Sequence, residues 1–314
     1  MTEPPAVERE LFGPLAARPR AAALAGAACL AFSGIFFRFS GTSPSTATVF
    51  RCGYALPFLW VWTRWEDRRL GKRPWRARGL AFLAGLFFAA DLVTWQHSVQ
   101  QVGAGRATVL ANMQVVVVAL VAWAMLGERP TARVLAGIPL VVAGAALISG
   151  VLERGAYGAN PALGVLFGVA AAVAYSGYLM LIRRANTDRR LAGPLLDASA
   201  ASVVGALIAG AVVGDLDLVP AWPAHGWLLV VALTSQVAGY GLVNVSLPRL
   251  PAALTSILLM AQPVMTVALG ALLLAERPSL LQLGGVALIL VGIFVSSAPL
   301  GRLGAIRRFL QPSG

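Results

Sequence analysis

The sequence predicts an all-α membrane protein of ten transmembrane helices arranged as two inverted five-helix repeats. Composition is the first reason: of 314 residues, 58% are hydrophobic and 12% charged, about half the ~25% charged share of an ordinary soluble domain. The second is a series of ten apolar runs of the length that lets a helix cross a bilayer and satisfy its backbone internally. The third is an ungapped self-match at an offset of 148 residues, which lays 104–149 over 252–297 with 13 of 46 positions identical.

The runs follow in order. Residues 1–20 carry Glu3, Glu8 and Glu10 and lack the basic start and small-residue cleavage pattern of a signal peptide, so they read as a cytoplasmic segment and run 21–37 stays as a span. Run 47–62 ends on Trp60 and Trp62, followed by Trp65, as interfacial anchors. Runs 80–99, 107–126 and 134–151 complete the first repeat, assigned to 21–151. Runs 163–182, 192–213, 227–247, 253–274 and 280–295 form the second, assigned to 163–298. Gly164 with Gly168, and Gly210 with Gly214, have the spacing that allows close helix contact. The basic tail 299–314 reads as an amphipathic helix on the cytoplasmic face.

Charge supplies the orientation. With ten spans, twenty Lys and Arg fall on the side of the termini and four on the other, which also holds the acidic stretch 214–225. Basic residues are retained on the cytoplasmic side, so both termini are expected there, in a multi-pass cell (inner) membrane protein. The formal charge of +12 sits in short clusters between apolar runs, without the continuous basic face that nucleic acid needs. Membrane lipids are the expected neighbours, and nucleic acid is not a partner. Cys29 and Cys52 both fall in apolar runs and His97 has no ligand four residues away, so no metal site is expected. No nucleophile elbow, zinc-protease helix or phosphate loop is present; neither an enzyme nor a cofactor is expected.

The self-match pairs Gln114 with Gln262, Glu128-Arg129-Pro130 with Glu276-Arg277-Pro278, and Gly137 and Gly144 with Gly285 and Gly292. Five spans per repeat turn the second copy upside down, the architecture of alternating access. In the blocks LGERP (126–130) and LAERP (274–278), before glycine-bearing fifth and tenth helices, the chain resembles the EamA-type transporters of the drug/metabolite transporter superfamily. That resemblance covers nearly the whole chain. It implies two five-helix bundles around a central cavity, with helices one to four and six to nine lining it and five and ten outside, and efflux of amino acids, other metabolites or drugs. One departure is Val115 where the second half has Pro263, from which a straighter fourth helix is expected. The Pro of each Glu-Arg-Pro block also reads simply as the start of the next helix.

Three charges stand inside runs: Arg51, Asp91 and Asp197. Intramembrane ions mark pathways or pair with each other, so Asp91 with Arg51 is either a proton-coupling or substrate-binding pair or a static packing pair. Asp197, near the cytoplasmic end of its run, has the weaker functional case. Asp91, Trp95 and Ser98 share one helical face, as do Gln236, Tyr240 and Asn244. With Asn112, Gln114, Tyr175, Ser176 and Gln262 they would make a pocket of amides, hydroxyls and aromatics, or plain interhelical hydrogen bonds. The expected function is gradient-driven transport of a small organic molecule, with a second copy of the chain as a candidate partner. A non-transporting scaffold or regulator of a partner protein is the rival reading.

Overall fold

A computed structural model describes residues 17–102, 107, 110–148, 160–186, 190–273 and 278–297. Among them are ten helices: α1 Pro19–Ser40, α2 Pro44–Leu70, α3 Trp75–Val102, α4 Leu110–Leu126, α5 Ala132–Ile148, α6 Pro161–Ala185, α7 Ala192–Val213, α8 Trp222–Ser246, α9 Ala252–Leu273 and α10 Leu280–Ser297. No strand occurs among the described residues. The tail, the N-terminal 16 residues and Leu274 to Arg277 of the second Glu-Arg-Pro block lie outside them.

Local chemistry sets the helix ends. Proline opens α1, α2 and α6, where its missing N–H is no loss. The Ser43 hydroxyl accepts from the Thr46 N–H, and the Asn160 side chain from the Leu163 N–H at 3.1 Å. Gly127 and Gly214 close α4 and α7 at φ of 66° and 81°, a left-handed cap that a side chain would strain. Gly214 therefore ends a helix, and the close packing expected of it falls to Gly210 alone, whose Cβ position is 2.7 Å from Ser45 Cβ.

Six helices (α1, α3, α6, α7, α8 and α9) hold windows long and apolar enough to cross a membrane; α4, α5 and α10 are apolar but shorter. α2 is 27 residues long and much less apolar. It continues two turns beyond Trp62, where the hydropathy has already fallen, and so carries Glu66 and Asp67 as helical residues. Trp60 and Trp222 are 53% and 79% exposed. Trp62 instead packs half-buried against the core, because it lies on the side of α2 opposite Trp60.

The packing has a two-fold pattern. α1 lies on α8 and α9, α6 on α3 and α4, α3 on α7, α8 on α2, α2 on α7, and α4 on α9. Exchanging each helix of the first five with its counterpart in the second five reproduces the same set of contacts. These contacts close a ring of eight helices, with α5 and α10 packed on each other outside it. On that outer seam a Cβ at Gly137 would sit 2.9 Å from the Gly292 carbonyl oxygen, and one at Gly144 2.7 Å from that of Gly285. Gly137 thus meets the counterpart of Gly144, and Gly144 the counterpart of Gly137. That arrangement requires α5 and α10 to run antiparallel, with the axis between them perpendicular to both. Interfaces of this kind depend on small residues, since lipid tails are as apolar as the helices they surround.

Both fourth helices are interrupted within one position of each other in the repeat, α4 at Met113 and α9 at Met260. The straighter α4 expected from Val115 is not observed. In α4 the Met113 N–H turns to Leu110 O at 3.1 Å, and in α9 the Met260 N–H turns to Ile257 O at 3.0 Å, so the tightened turn forms with or without a following proline. α8 is π-helical from Ala232 to Gly239.

Candidate functional site

Arg51 of α2 is 3% exposed and lies where both repeats meet. Its Nε donates to Gln236 Oε1 at 2.9 Å, and Gln236 Nε2 donates to Ser199 Oγ of α7 at 2.9 Å. The guanidinium carbon is 5.7, 5.5 and 5.6 Å from the ring centroids of Phe37, Phe88 and Tyr240, within cation–π range. Phe88, Tyr178 and Tyr240 pack mutually at 4.9 to 5.7 Å, and Tyr175 adjoins Tyr178 at 5.8 Å. Six helices, α1, α2, α3, α6, α7 and α8, contribute to this cluster. Gln236 lies inside the π-helical stretch of α8, a geometry found mostly as a local widening at functional sites.

Asp91 stands beside this cluster. It lies close to Arg51, Tyr175 and Tyr240 and is half-buried. Arg51 Nη2 is buried and makes no hydrogen bond, so the Asp91 carboxylate does not close onto it. The arrangement is a buried guanidinium and a carboxyl group that do not bond to each other, flanked by aromatic rings.

The other residues anticipated for the pocket divide. Tyr175, Gln236 and Tyr240 join Arg51 and Asp91. Trp95 and Gln262 are half-buried on α3 and α9. Asn112 and Gln114 flank the interruption of α4, with Asn112 Nδ2 and Gln114 Oε1 buried and unbonded. Ser176 donates to Ala172 O at 2.6 Å within its own helix, and Asn244 Nδ2 donates to Leu191 O at 2.9 Å, tying α8 to the start of α7. Phe37, Phe88, Tyr178 and Ser199 were not anticipated. Phe88 and Tyr178 stand three residues from Asp91 and Tyr175, a helical-face spacing that was available as a signal.

Carboxylates clamp one repeat to the other at the ring's ends. The fully buried Glu66 accepts from the N–H groups of Leu191, Ala192 and Gly193 at 2.8, 3.1 and 3.1 Å, capping α7. Beside it Arg190 donates to Asp67 at 2.7 Å and to the carbonyls of Leu70 and Gly71. Asp197 pairs with Arg73, and at 3.5 Å with Arg78, which gives it a clamping role. At the opposite end Asp215 Oδ2 accepts from the Ser45 N–H at 3.3 Å, and the Asp217 N–H donates to Thr46 Oγ1 at 2.8 Å, so the stretch after α7 caps α2. The N-terminus of a helix favours an anion through its free N–H groups and its dipole; each second helix is held this way by the other repeat.

Glu128, of the first Glu-Arg-Pro block, bonds Arg183 at 2.6 Å and accepts from the Ala252 N–H at 3.1 Å, capping α9. Burial pushes its carboxyl upward, but the hydrogen bonds of Arg183 and Ala252 and the Arg183 charge outweigh this and leave it below the ordinary value. A carboxyl with a lowered folded-state pKa contributes stability that is present above the unfolded value and is lost as pH falls through the folded one. The Tm deficit of Glu128→Gln against the native chain is therefore expected at pH 7 and shrinks as the pH approaches 4; a deficit independent of pH would refute the ionic clamp.

Fold and site together define a polytopic α-helical membrane protein with a charged, aromatic site buried between two repeats. The EamA-like transporter family matches residues 20–150 and 162–298; the chain belongs to that family, one of membrane transporters and not of enzymes. No curated protein matches. A crystal structure of a protein 18% identical aligns over 94% of this chain and 99% of its own with a TM-score of 0.70, which shows the shared fold.

Proposed function

We propose that the chain is a secondary transporter that exports a small organic molecule by alternating access, with ten membrane crossings and both termini in the cytoplasm. The observation that carries this reading is the position of Arg51, Asp91 and their aromatic rings at the junction of two repeats that are clamped at both ends of the ring. Rocking one repeat against the other opens such a site to each side in turn. On the charge bias of the loops, Glu66 and Glu128 close the cytoplasmic side and Asp215 the outer side. Asp91 is the coupling carboxylate: ionisable residues inside membrane helices are rare and mark substrate pathways and proton relays.

The test compares extracellular metabolites of cells overproducing the native chain, the Asp91→Asn variant at equal membrane abundance, and an empty control. Selective release of one compound class by the native chain alone is expected. Release undiminished in Asp91→Asn would remove Asp91 from the mechanism, and three matching profiles would overturn export.

A further inference from the structure

Arg51 is a buried cation without a full set of acceptors. Burying a guanidinium is costly unless its charge and donors are met. Here a neutral amide takes Nε, aromatic faces take its flat side, and the Asp91 carboxyl lies nearby without reaching Nη2. The amide is itself held by the 0%-exposed Ser199 hydroxyl, so a three-residue chain from α7 through α8 to α2 fixes how the guanidinium is turned. Both Gln236 and Ser199 belong to the second repeat and Arg51 to the first, which makes the orientation of the cation depend on how the repeats are docked.

We propose that Arg51 is the carboxylate anchor of the transport site, with Gln236 and Ser199 as the residues that position it. This rests on the transport reading. A guanidinium edge matches a planar carboxylate with charge-assisted hydrogen bonds, and the flanking rings suit an apolar or aromatic body attached to it. When ionised, Asp91 repels a dianion such as a phosphate monoester. It also offers an ammonium group a partner, so the carboxylate belongs either to a simple acid or to a zwitterion.

Four probes of one shape separate these cases on the purified full chain, read as Kd by calorimetry and as Tm shift: 3-phenylpropionate, phenylalanine, 3-phenylpropionamide and 2-phenylethylamine. At least one of the two carboxylates is expected to bind, about ten-fold or more tighter than the amide and the amine, the difference a hydrogen bond to a charged group supports. A preference for phenylalanine assigns the zwitterion, and for phenylpropionate the simple acid. Gln236→Leu is expected to bring the carboxylate-to-amide ratio to within about two-fold, and Ser199→Ala to lower it part-way. A purely structural role would instead weaken all ligands together. Equal binding of amide and carboxylate, a preference for the amine, silence of all four probes, or an unchanged ratio in Gln236→Leu would each overturn the anchor. Counterflow in proteoliposomes separates this from the transport reading: carboxylate binding without counterflow sinks transport and leaves the anchor, whereas counterflow of the amine alone does the reverse.

Discussion

Glu66→Ala is expected to loosen the start of α7 and leave the rest of that helix in place. Three backbone N–H groups lose their only acceptor in a site that water does not reach. Hydrogen bonds to a charged group contribute about 1.5 to 3 kcal/mol each, and unmet buried donors carry a comparable penalty. Part of that gain is already offset, because burial raises the Glu66 carboxyl above its ordinary value, against the lowering effect of the three N–H groups and of Arg190. A net effect of about 3 kcal/mol is expected, which is about a hundred-fold faster amide exchange at residues 191–193, with the centre of α7 unchanged. Exchange at native rates would mean that Arg190 and Asp197 hold the helix end without Glu66. The sign of the pH effect comes from the same raised carboxyl: a folded-state value above the unfolded one gives stability that is full below the unfolded value and falls as pH rises through the folded value. The contribution of Glu66 to folding stability is thus larger on mild acidification, opposite in sign to that of Glu128.

Gly85→Ala is expected to abolish recovery of folded protein. The added methyl would lie 2.0 Å from the Ala198 carbonyl oxygen and 2.7 Å from Ala201 Cβ, so two helix backbones must separate. The same movement breaks the bond from Ser202 Oγ to Gly85 O at 2.9 Å. Overpacking of this kind costs about 1 to 3 kcal/mol where side chains can yield, and here the obstacle is backbone. The matched control is Gly53→Ala on α2, where the new methyl meets nothing within 4 Å and a gain of about 0.5 to 1 kcal/mol is expected from the smaller loss of chain entropy. Size-exclusion profiles and Tm values of the two variants check both; equal behaviour would show that the α3–α7 seam is not tightly packed.

The helices were legible because lipid imposes a length and an apolar composition on anything that crosses it, and loop charges kept the alternation in phase. The repeat was legible for a different reason: Gly137, Gly144 and their counterparts are needed where two backbones touch, so identity survived there. Arg51, Asp91, Gln236 and Tyr240 stood out as polar residues in apolar surroundings. Phe37 did not, since an aromatic residue on a membrane helix looks the same whether it meets lipid or a guanidinium, and Phe88 and Tyr178 were readable only through their three-residue spacing from Asp91 and Tyr175. The clamps were hidden because hydropathy ends a span where the apolar run ends, while α2 continues through Glu66. The partners of Glu66 are backbone N–H groups, and no side-chain pattern announces them. Asn244 makes the interhelical hydrogen bond that was the alternative reading of its stripe, because a polar stripe fixes a helical face without fixing which neighbour it meets, and the π-helical turn of α8 changes the phase between Gln236 and Asn244.

The crossed glycine pairs of α5 and α10 give the two halves the logic of a self-complementary assembly: Gly137 faces Gly292 while Gly144 faces Gly285, the same patch presented by both sides. In that sense the two family-matched halves, 20–150 and 162–298, meet as the subunits of a dimer do, within one chain. The halves differ at the site itself: the position 148 residues beyond the buried Arg51 is Ser199, so a charge that a strictly symmetric pair would have had to bury twice is buried once.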